Sequence, residues 1–179
     1  MRHILALAPR HCAYFVTSRR KQPLKNLVAI VLLSLGLAGC ALFAPFRAGP
    51  ITTEINHAAL AAREISAYRA QHGLAAVEVD WSLMRAAEEQ ARAVAAMDGL
   101  SHDAAGRFDR RMSRHGVNGA AAENLGAGAA SPERAIERWR ASPSHDENLR
   151  MPEARRIGFV KAYAPETRYK NFWVLVLAD

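Results

Sequence analysis

Two histidines of the chain have no evident structural role and are therefore candidates for chemistry. His72 and His115 each precede a glycine at the end of a predicted helix, where a donor side chain meets exposed carbonyl groups. His57 falls between apolar positions of another predicted helix and is expected to face solvent. His102 and His145 instead lie in irregular segments that connect helices, where binding groups concentrate. An imidazole in such a place can bind a metal, hold a polar ligand or transfer a proton.

One carboxylate also stands apart. Glu123 and Asn124 interrupt a run of small apolar residues over 120–127. A carboxylate in such a run is partly desolvated and needs a partner. The alternative is a glutamate on an edge strand that points to water. Glu88, by contrast, can pair with Arg92 four residues on, which is typical of a solvated helix face.

The elements that must position these groups are helices first and strands last. Apolar spacing and capping residues predict helices over 53–72, 80–98, 107–115 and 131–141, with Asp80 and Ser131 as N-caps. Residues 157–163 and 171–177 are rich in β-branched and aromatic residues and predict an antiparallel hairpin; a third strand includes 121–125. This order predicts an α+β domain with helices packed on a small antiparallel sheet.

Aromatic and basic residues of the helices receive structural interpretations. The large aromatics at helix and strand positions are predicted to lie in the core: Trp81, Phe108, Trp139 and Trp173. The 107–115 helix also carries a basic cluster, Arg107, Arg110, Arg111 and Arg114. It is interpreted as a solvated helix face, with contact to an anionic lipid or glycan as the alternative.

The N-terminal segment has the layout of a secretory signal. Basic residues over 19–25 precede an uncharged apolar run over 27–37, and the run ends in Leu37-Ala38-Gly39-Cys40, which resembles a bacterial lipobox. This resemblance predicts a signal peptide over 1–39, an acylated Cys40, a tether over 40–52 and one domain over 53–179. The alternative is an uncleaved membrane anchor, because the chain is nearly all apolar from Leu27 to Phe46.

The net charge of +7 belongs almost entirely to this segment. Residues 1–39 hold six basic and no acidic residues, which leaves 18 basic against 17 acidic residues in the rest of the chain. The nearly neutral remainder disfavours nucleic-acid binding. Cys12 and Cys40 are the only cysteines, so the predicted domain has no disulfides and needs an ordinary core.

An ordered set of short motifs resembles the bacterial branch of the CAP superfamily, which includes cysteine-rich secretory proteins, antigen 5 and plant pathogenesis-related proteins. The resemblance covers about residues 54–178. The motifs that carry it are Tyr68-Arg69, Gly73-Leu74, Leu83, Ala86-Ala87, Leu100-Ser101-His102, Ala122-Glu123-Asn124-Leu125, Trp139, Ser142-Pro143-Ser144-His145, Asn148-Leu149 and Ile157-Gly158.

The resemblance implies an α-β-α sandwich with an open cleft in which His102, Glu123 and His145 converge, with Asn124 and Asn148 in the same cleft. Ser142 stands where the eukaryotic pattern has a further glutamate, and the eukaryotic disulfides are absent. Members of the superfamily are reported to bind lipids and sterols, and some hold a metal in the cleft.

Two function hypotheses follow. The first is a non-catalytic binding module for a lipid, a sterol-like or other small envelope ligand, or a divalent metal such as Zn²⁺ held by His102 and His145. The second is a hydrolase or peptidase in which His145 acts as general base toward Ser142 or a water, oriented by Glu123. Against the second, Ser142-Pro143 is explained as the stop of the preceding helix, with Ser144 capping a short helical turn.

Location and partners follow from the predicted anchor. Acylation with palmitate or a similar chain at Cys40 ties the domain to the cell envelope. Ala41 follows the cysteine, whereas an aspartate there is associated with inner-membrane retention, so the outer membrane is expected, with the domain facing the periplasm or the exterior. We expect a monomer.

Overall fold

The computed structural model describes residues 49–179. The predicted signal peptide, the lipobox and Cys40 lie outside the described residues, and so does most of the predicted tether. Of the helices in residues 49–179, none is both long and apolar enough to cross a membrane.

Five helices and five strands make up the described part of the chain. In order they are β1 (Thr52–Glu54), α1 (Ala58–Gln71), β2 (Glu78–Val79), α2 (Trp81–Ala96), α3 (Phe108–Arg114), β3 (Ala121–Ala127), α4 (Pro132–Arg140), α5 (Pro143–Leu149), β4 (Arg156–Tyr163) and β5 (Asn171–Ala178). The predicted α+β class is confirmed.

The sheet has the order β1-β4-β5-β3, with antiparallel neighbours throughout. The predicted β4–β5 hairpin is confirmed, and its register pairs Tyr163 with Asn171. The short β2 pairs with the start of β4 in the parallel direction. β3 is therefore an edge strand, joined to the sheet through β5 alone.

Helices cover both faces of the sheet. Gly158 of β4 lies directly under the backbone of α2 at Leu83, whereas its neighbour Phe159 packs against Trp139 of α4. Successive strand residues point to opposite faces, so α2 and α4 lie on opposite sides. α3 packs with α2, and α1 and α5 pack with α4. This is the predicted α-β-α sandwich, with the largely buried β4 and β5 at its centre.

Two predicted N-caps are confirmed. The Asp80 carboxylate accepts hydrogen bonds from the backbone amides of Ser82 and Leu83 at 2.8 and 2.9 Å, and the Ser131 hydroxyl accepts one from Arg134 at 3.4 Å. Each cap satisfies donors that the first turn of a helix leaves free. These caps fix where α2 and α4 begin.

The start of the domain differs from the prediction. Residues 52–54 form β1 rather than the first turns of a helix, because they pair with residues 161–163 of β4, and α1 begins only at Ala58. Thr52, assigned to the tether, is thus part of the sheet. His57 is half-buried rather than solvated, since its ring lies 5.5 Å from that of Trp173.

Trp81 also differs from the prediction. As the first residue of α2 it points away from the sheet and is 64% exposed, whereas Trp139 and Trp173 are buried as expected. The short helix after Pro143 is capped at Ser142 rather than at Ser144, and Pro143 occupies its first turn.

Candidate functional site

The predicted site residues gather along β3, and the alternation of that strand divides them between the two faces. Glu123 points toward α2 and α3, where it contacts Gln90 and Arg111. Asn124 points the other way and contacts α5. Because β3 is the edge strand, groups from both faces of the sheet approach one another around it.

Glu123 is buried, and both of its carboxylate oxygens are engaged. Arg111 donates to Oε2, and Nδ1 of His102 lies 2.8 Å from Oε1. The amide of Gln90 lies 3.5 Å from the same Oε1. Of the two alternatives for Glu123, a desolvated carboxylate with a partner is confirmed and a solvated edge-strand glutamate is wrong.

Arg111 was not predicted from the sequence to belong to the site. Its prediction as part of a solvated helix face is wrong: the side chain is fully buried and forms the ion pair with Glu123. It also donates to Gln90 at 2.9 Å and to the carbonyl oxygens of His102 and Gly106 at 3.2 and 3.1 Å. Arg111 therefore holds both the carboxylate and the backbone of the loop that carries His102.

A sequence signal for Arg111 does exist. Phe108, Arg111 and Met112 share one stripe of α3, and Arg111 stacks 5.5 Å from the Phe108 ring. An arginine within an apolar stripe is a candidate for a buried ion pair. The neighbouring Arg107, Arg110 and Arg114 are exposed, as predicted. Because four arginines lie close together in the sequence, the buried one is hard to distinguish from the exposed ones.

The protonation of Glu123 reflects two opposing effects. Burial raises the pKa of Glu123 above its ordinary value, and the positive charge of Arg111 together with the hydrogen bonds from His102 and Arg111 acts to lower it. With both oxygens occupied, Glu123 serves to orient its neighbours and is not free to ligate a metal directly.

His102 presents its ring outward. The side chain is 57% exposed while its Nδ1 is held by the Glu123 carboxylate. A carboxylate is an acceptor, so Nδ1 carries the hydrogen and the neutral ring offers Nε2 as an acceptor. Within residues 49–179, Nε2 of His102 has no hydrogen-bond partner.

His145 is held in a similar way by a different group. Its Nδ1 lies 2.9 Å from Oγ of Ser142. Ser142 is the N-cap of α5 and His145 is the third helical residue, two positions whose side chains meet in ordinary capping geometry. Burial, followed by the charge of His102, lowers the pKa of His145 below its ordinary 6.5. His145 is thus neutral at pH 7.

The hydrolase arrangement predicted from sequence is present only in part. Ser142 and His145 are in contact, but Glu123 orients His102 and not His145. The pair Ser142–His145 therefore lacks the predicted orienting carboxylate.

Asn124 and Asn148 fasten α5 to the edge strand. Asn124 is fully buried and donates to the carbonyl of His145 at 3.0 Å. Asn148 donates to the side-chain oxygen of Asn124 at 2.9 Å and to the carbonyl of Glu123 at 3.3 Å. Through these contacts the two asparagines position His145 and Glu123.

An open cavity of about 430 Å³ lies beside the site along the same strand. It is lined by Ala121 and Ala122 of β3, by Glu147 and Asn148 of α5, and by the segment 150–152 that follows. Asn148 is shared between the cavity and the hydrogen bonds described above.

The metal prediction concerns two ligands, His102 and His145. No group of three or more His, Cys, Asp or Glu side chains able to hold a metal ion occurs within residues 49–179. A histidine that binds metal commonly donates its other ring nitrogen to a carboxylate, which is how His102 is held by Glu123. The donor chemistry of His102 therefore fits a metal ligand, while Glu123 fits a supporting role only.

The fold and the site together define the class of protein. A model of the CAP, or cysteine-rich secretory protein, family matches residues 62–177. The chain belongs to this family. No curated protein sequence matches the chain.

Several solved structures share the fold. An outer surface protein of Borrelia burgdorferi is 20% identical with a TM-score of 0.64, over 73% of this chain and 98% of that one. An extracellular SCP-domain protein of Bacillus anthracis str. Ames is 20% identical with a TM-score of 0.59, over 68% of this chain and 40% of that one. A cysteine-rich secretory protein of Staphylococcus aureus is 16% identical with a TM-score of 0.55, over 69% of this chain and 38% of that one.

Proposed function

We propose that this CAP protein is a lipid-anchored binding module of the cell envelope, and that His102 and His145 bind its ligand at the edge of the sheet. The ligand is a divalent metal or the polar head group of a lipid or other small molecule. The residues behind the two histidines hold the imidazole rings in position: Glu123, Arg111, Asn124 and Asn148. In this proposal they do not contact the ligand.

One observation carries the binding proposal. Two imidazoles, one from each side of the edge strand, have Nδ1 engaged by a carboxylate and by a hydroxyl, while neither Nε2 has a protein partner within residues 49–179. Rings fixed at one nitrogen and open at the other are preorganised to bind, because little side-chain entropy is lost when the ligand arrives.

The network behind the histidines supports binding more than catalysis. Both carboxylate oxygens of Glu123 are occupied by Arg111 and His102, so the carboxylate has no free oxygen with which to exchange a proton with a substrate. The network instead gives His102 one tautomer and one orientation.

The envelope location rests on the sequence of the N-terminal segment. Leu37-Ala38-Gly39-Cys40 at the end of an apolar run supports acylation at Cys40. The similar proteins from Borrelia and Bacillus are described as outer surface and extracellular proteins, which agrees with export of this chain. Ala41 favours the outer membrane.

Calorimetric titration of the mature protein with Zn²⁺ tests the site, with Zn²⁺ as the probe of two converging imidazoles. We expect wild-type protein to release binding heat and the His102→Ala/His145→Ala variant to bind at least about tenfold more weakly. His72→Ala is the matched control, because His72 is an exposed histidine at the end of α1. Equal heats from wild type and the double variant would falsify the proposed metal-binding site.

A hydrolase remains the second candidate because of one contact. Oγ of Ser142 lies 2.9 Å from Nδ1 of His145, whose lowered pKa leaves it neutral and able to accept a proton. A screen of peptide and ester substrates tests it: turnover that is lost in both Ser142→Ala and His145→Ala, and kept in Ser144→Ala, would establish this candidate over the binding module.

A further inference from the structure

The N-terminal part of the chain enters the domain at one end of the sheet. Gly49 lies against the carboxylate of Glu166, in the turn between β4 and β5, and leaves no room for a Cβ. Three residues later Thr52 pairs with Tyr163 at the end of β4. The chain preceding residue 49 therefore joins the domain at the β4–β5 turn.

The C-terminal end of α2 meets the same turn. The carboxylate of Asp98, just beyond α2, accepts hydrogen bonds from the backbone amide of Arg168 at 3.0 and 3.1 Å. The residues around Asp98 and those of the β4–β5 turn thus lie at the same end of the domain, and we call their exposed side chains together the entry surface. It consists of Met97, Leu100, Tyr163, Arg168, Tyr169 and Lys170.

This surface collects most of the exposed apolar side chains. Residues 49–179 expose six large hydrophobic side chains, and four of them belong to the entry surface. Met97 and Leu100 are 52% and 48% exposed, and Tyr163 and Tyr169 are each 38% exposed. The other two, Ile55 and Trp81, line a separate groove. Apolar side chains gathered at one end of a small domain indicate a contact surface.

The polar groups of the entry surface are those that favour a bilayer interface. Arg168 and Lys170 are exposed, and the Arg168 guanidinium lies 5.8 Å from the centre of the Tyr169 ring. Of the two nearby carboxylates, that of Asp98 accepts hydrogen bonds from the backbone amide of Arg168, and that of Glu166 lies beside Gly49. Tyrosines with apolar bodies and polar tips, together with cations, suit the head-group region of a membrane.

The length of the tether limits how far this end can lie from the membrane. Eight residues separate Cys40 from Gly49, so their full extension spans about 30 Å. A domain of this size has a radius of gyration of about 14 Å, and its breadth exceeds that span. An acylated Cys40 therefore holds the point where the chain enters the domain, Gly49, within about 30 Å of the bilayer.

We propose that the entry surface docks on the bilayer that holds the anchor, with its tyrosines and apolar side chains among the lipid head groups and with Arg168 and Lys170 on the phosphates. The inference rests on the proposed acylation of Cys40. Docking fixes the orientation of the domain and directs the β2 and α5 ends of the molecule away from the membrane.

A depth measurement tests the docking. Full chains carrying Cys12→Ser and either Met97→Cys or Glu153→Cys are labelled with nitrobenzoxadiazole and reconstituted into phosphatidylethanolamine–phosphatidylglycerol vesicles that contain lipids with a nitroxide quencher on the head group. Glu153 is exposed and precedes the start of β4, at the opposite end of the sheet from Tyr163. We expect roughly twofold quenching of the label at 97 and unchanged emission at 153, since only the former lies within the interface.

Two variants of the Met97→Cys chain show whether the surface itself is responsible. Leu100→Asp with Tyr169→Asp should abolish the quenching, whereas Ile55→Asp with Trp81→Asp, at the separate groove, should leave it intact. Equal quenching in both pairs would contradict docking through the entry surface.

The mass of the N-terminal peptide separates this proposal from the anchoring on which it rests. Acyl chains on Cys40 together with an unquenched label at 97 would overturn docking alone. An unacylated peptide would overturn the anchoring. The label at 97 is then measured in a chain that also carries Cys40→Ser, where quenching shows docking without the anchor and unchanged emission overturns both proposals.

Discussion

At the scale of single residues, the site depends on the ion pair between Arg111 and Glu123. Both side chains are buried, and each would leave an uncompensated charge if the other were removed. Removing one partner of a buried pair costs about 3–5 kcal/mol, whereas replacing both is much less costly. We expect Arg111→Met to lower the free energy of unfolding by about that amount, as measured by urea denaturation.

A double variant tests whether the lost stability comes from an unpaired buried charge. Arg111→Met combined with Glu123→Gln should lose clearly less stability than the two single variants together, because no unpaired charge remains buried. Arg110→Met, at the exposed neighbouring position of α3, should change stability by less than about 0.5 kcal/mol. Additive losses in the double variant would show that the two side chains do not act as a pair.

The lowered pKa of His145 predicts a specific pH dependence. In the unfolded chain His145 titrates near 6.5, and in the folded protein it titrates lower because it is buried and close to His102. The unfolded state therefore binds more protons as pH falls below 6.5, and the folded state loses stability through that window. Relative to His145→Gln, the unfolding free energy of wild type should be constant above pH 7 and should fall below pH 6.5.

A second histidine variant serves as the control for this experiment. His72→Gln, at the exposed end of α1, should keep the wild-type dependence on pH. Losses caused by carboxylates occur at lower pH and cancel in the comparison. If the unfolding free energies of wild type and His145→Gln changed in parallel between pH 5 and 7, the assignment of this pH dependence to His145 would be wrong.

A site residue could be predicted from the sequence only where its residue type and position had no evident structural role. Elimination isolated His102, Glu123 and His145, and the structure brings them together around β3. The pairing of Glu123 with His102 rather than His145 could not be predicted, because it depends on which face of an edge strand each helix covers. Arg111 was missed because burial of a charge is decided by tertiary contacts.

At the scale of elements, the long helices and the hairpin were predictable and the shortest strands were not. Asp80, Ser131 and the aromatic run of β5 are local signals, and each gave the right element. β1 and β2 have three and two residues, too few for any periodicity, and exist only because β4 offers them hydrogen bonds.

Gly158 controls the approach of α2 to the sheet. A Cβ at this position would collide with the backbone of Leu83 and Met84, and backbone cannot move aside as a flexible side chain can. We expect Gly158→Ala to destabilise the domain by about 1–3 kcal/mol or more through displacement of α2. Thermal unfolding of the variant measures the effect.

Gly99 offers the matched control, because it follows α2 in an ordinary backbone conformation and a Cβ there would meet no atom closer than 3.7 Å. Gly99→Ala should be neutral or slightly stabilising, since alanine loses less backbone entropy on folding. Comparable losses at both positions would mean that the contact with α2 is not the cause.

At the scale of the whole molecule, the net positive charge and the proposed site belong to different parts of the sequence. The net charge of +7 describes the full sequence, while the part that follows residue 39 is close to neutral. On the proposed processing, the basic segment directs export and is then removed. The proposed binding site, carried by residues 102–148, keeps its own buried charges in balance through Arg111 and Glu123.

The two cysteines allow the anchoring to be tested within one chain. Cells that express the protein and are fed labelled palmitate should incorporate label into wild type and into Cys12→Ser, because Cys12 lies in the segment that the proposed processing removes. Cys40→Ser should incorporate none and should accumulate at the precursor mass, since lipobox cleavage requires the acylated cysteine. An uncleaved anchor predicts instead that all three chains stay at precursor mass in the membrane fraction, without label. Because the three chains differ only at the two cysteines, the comparison separates the two kinds of membrane attachment irrespective of what the binding site holds.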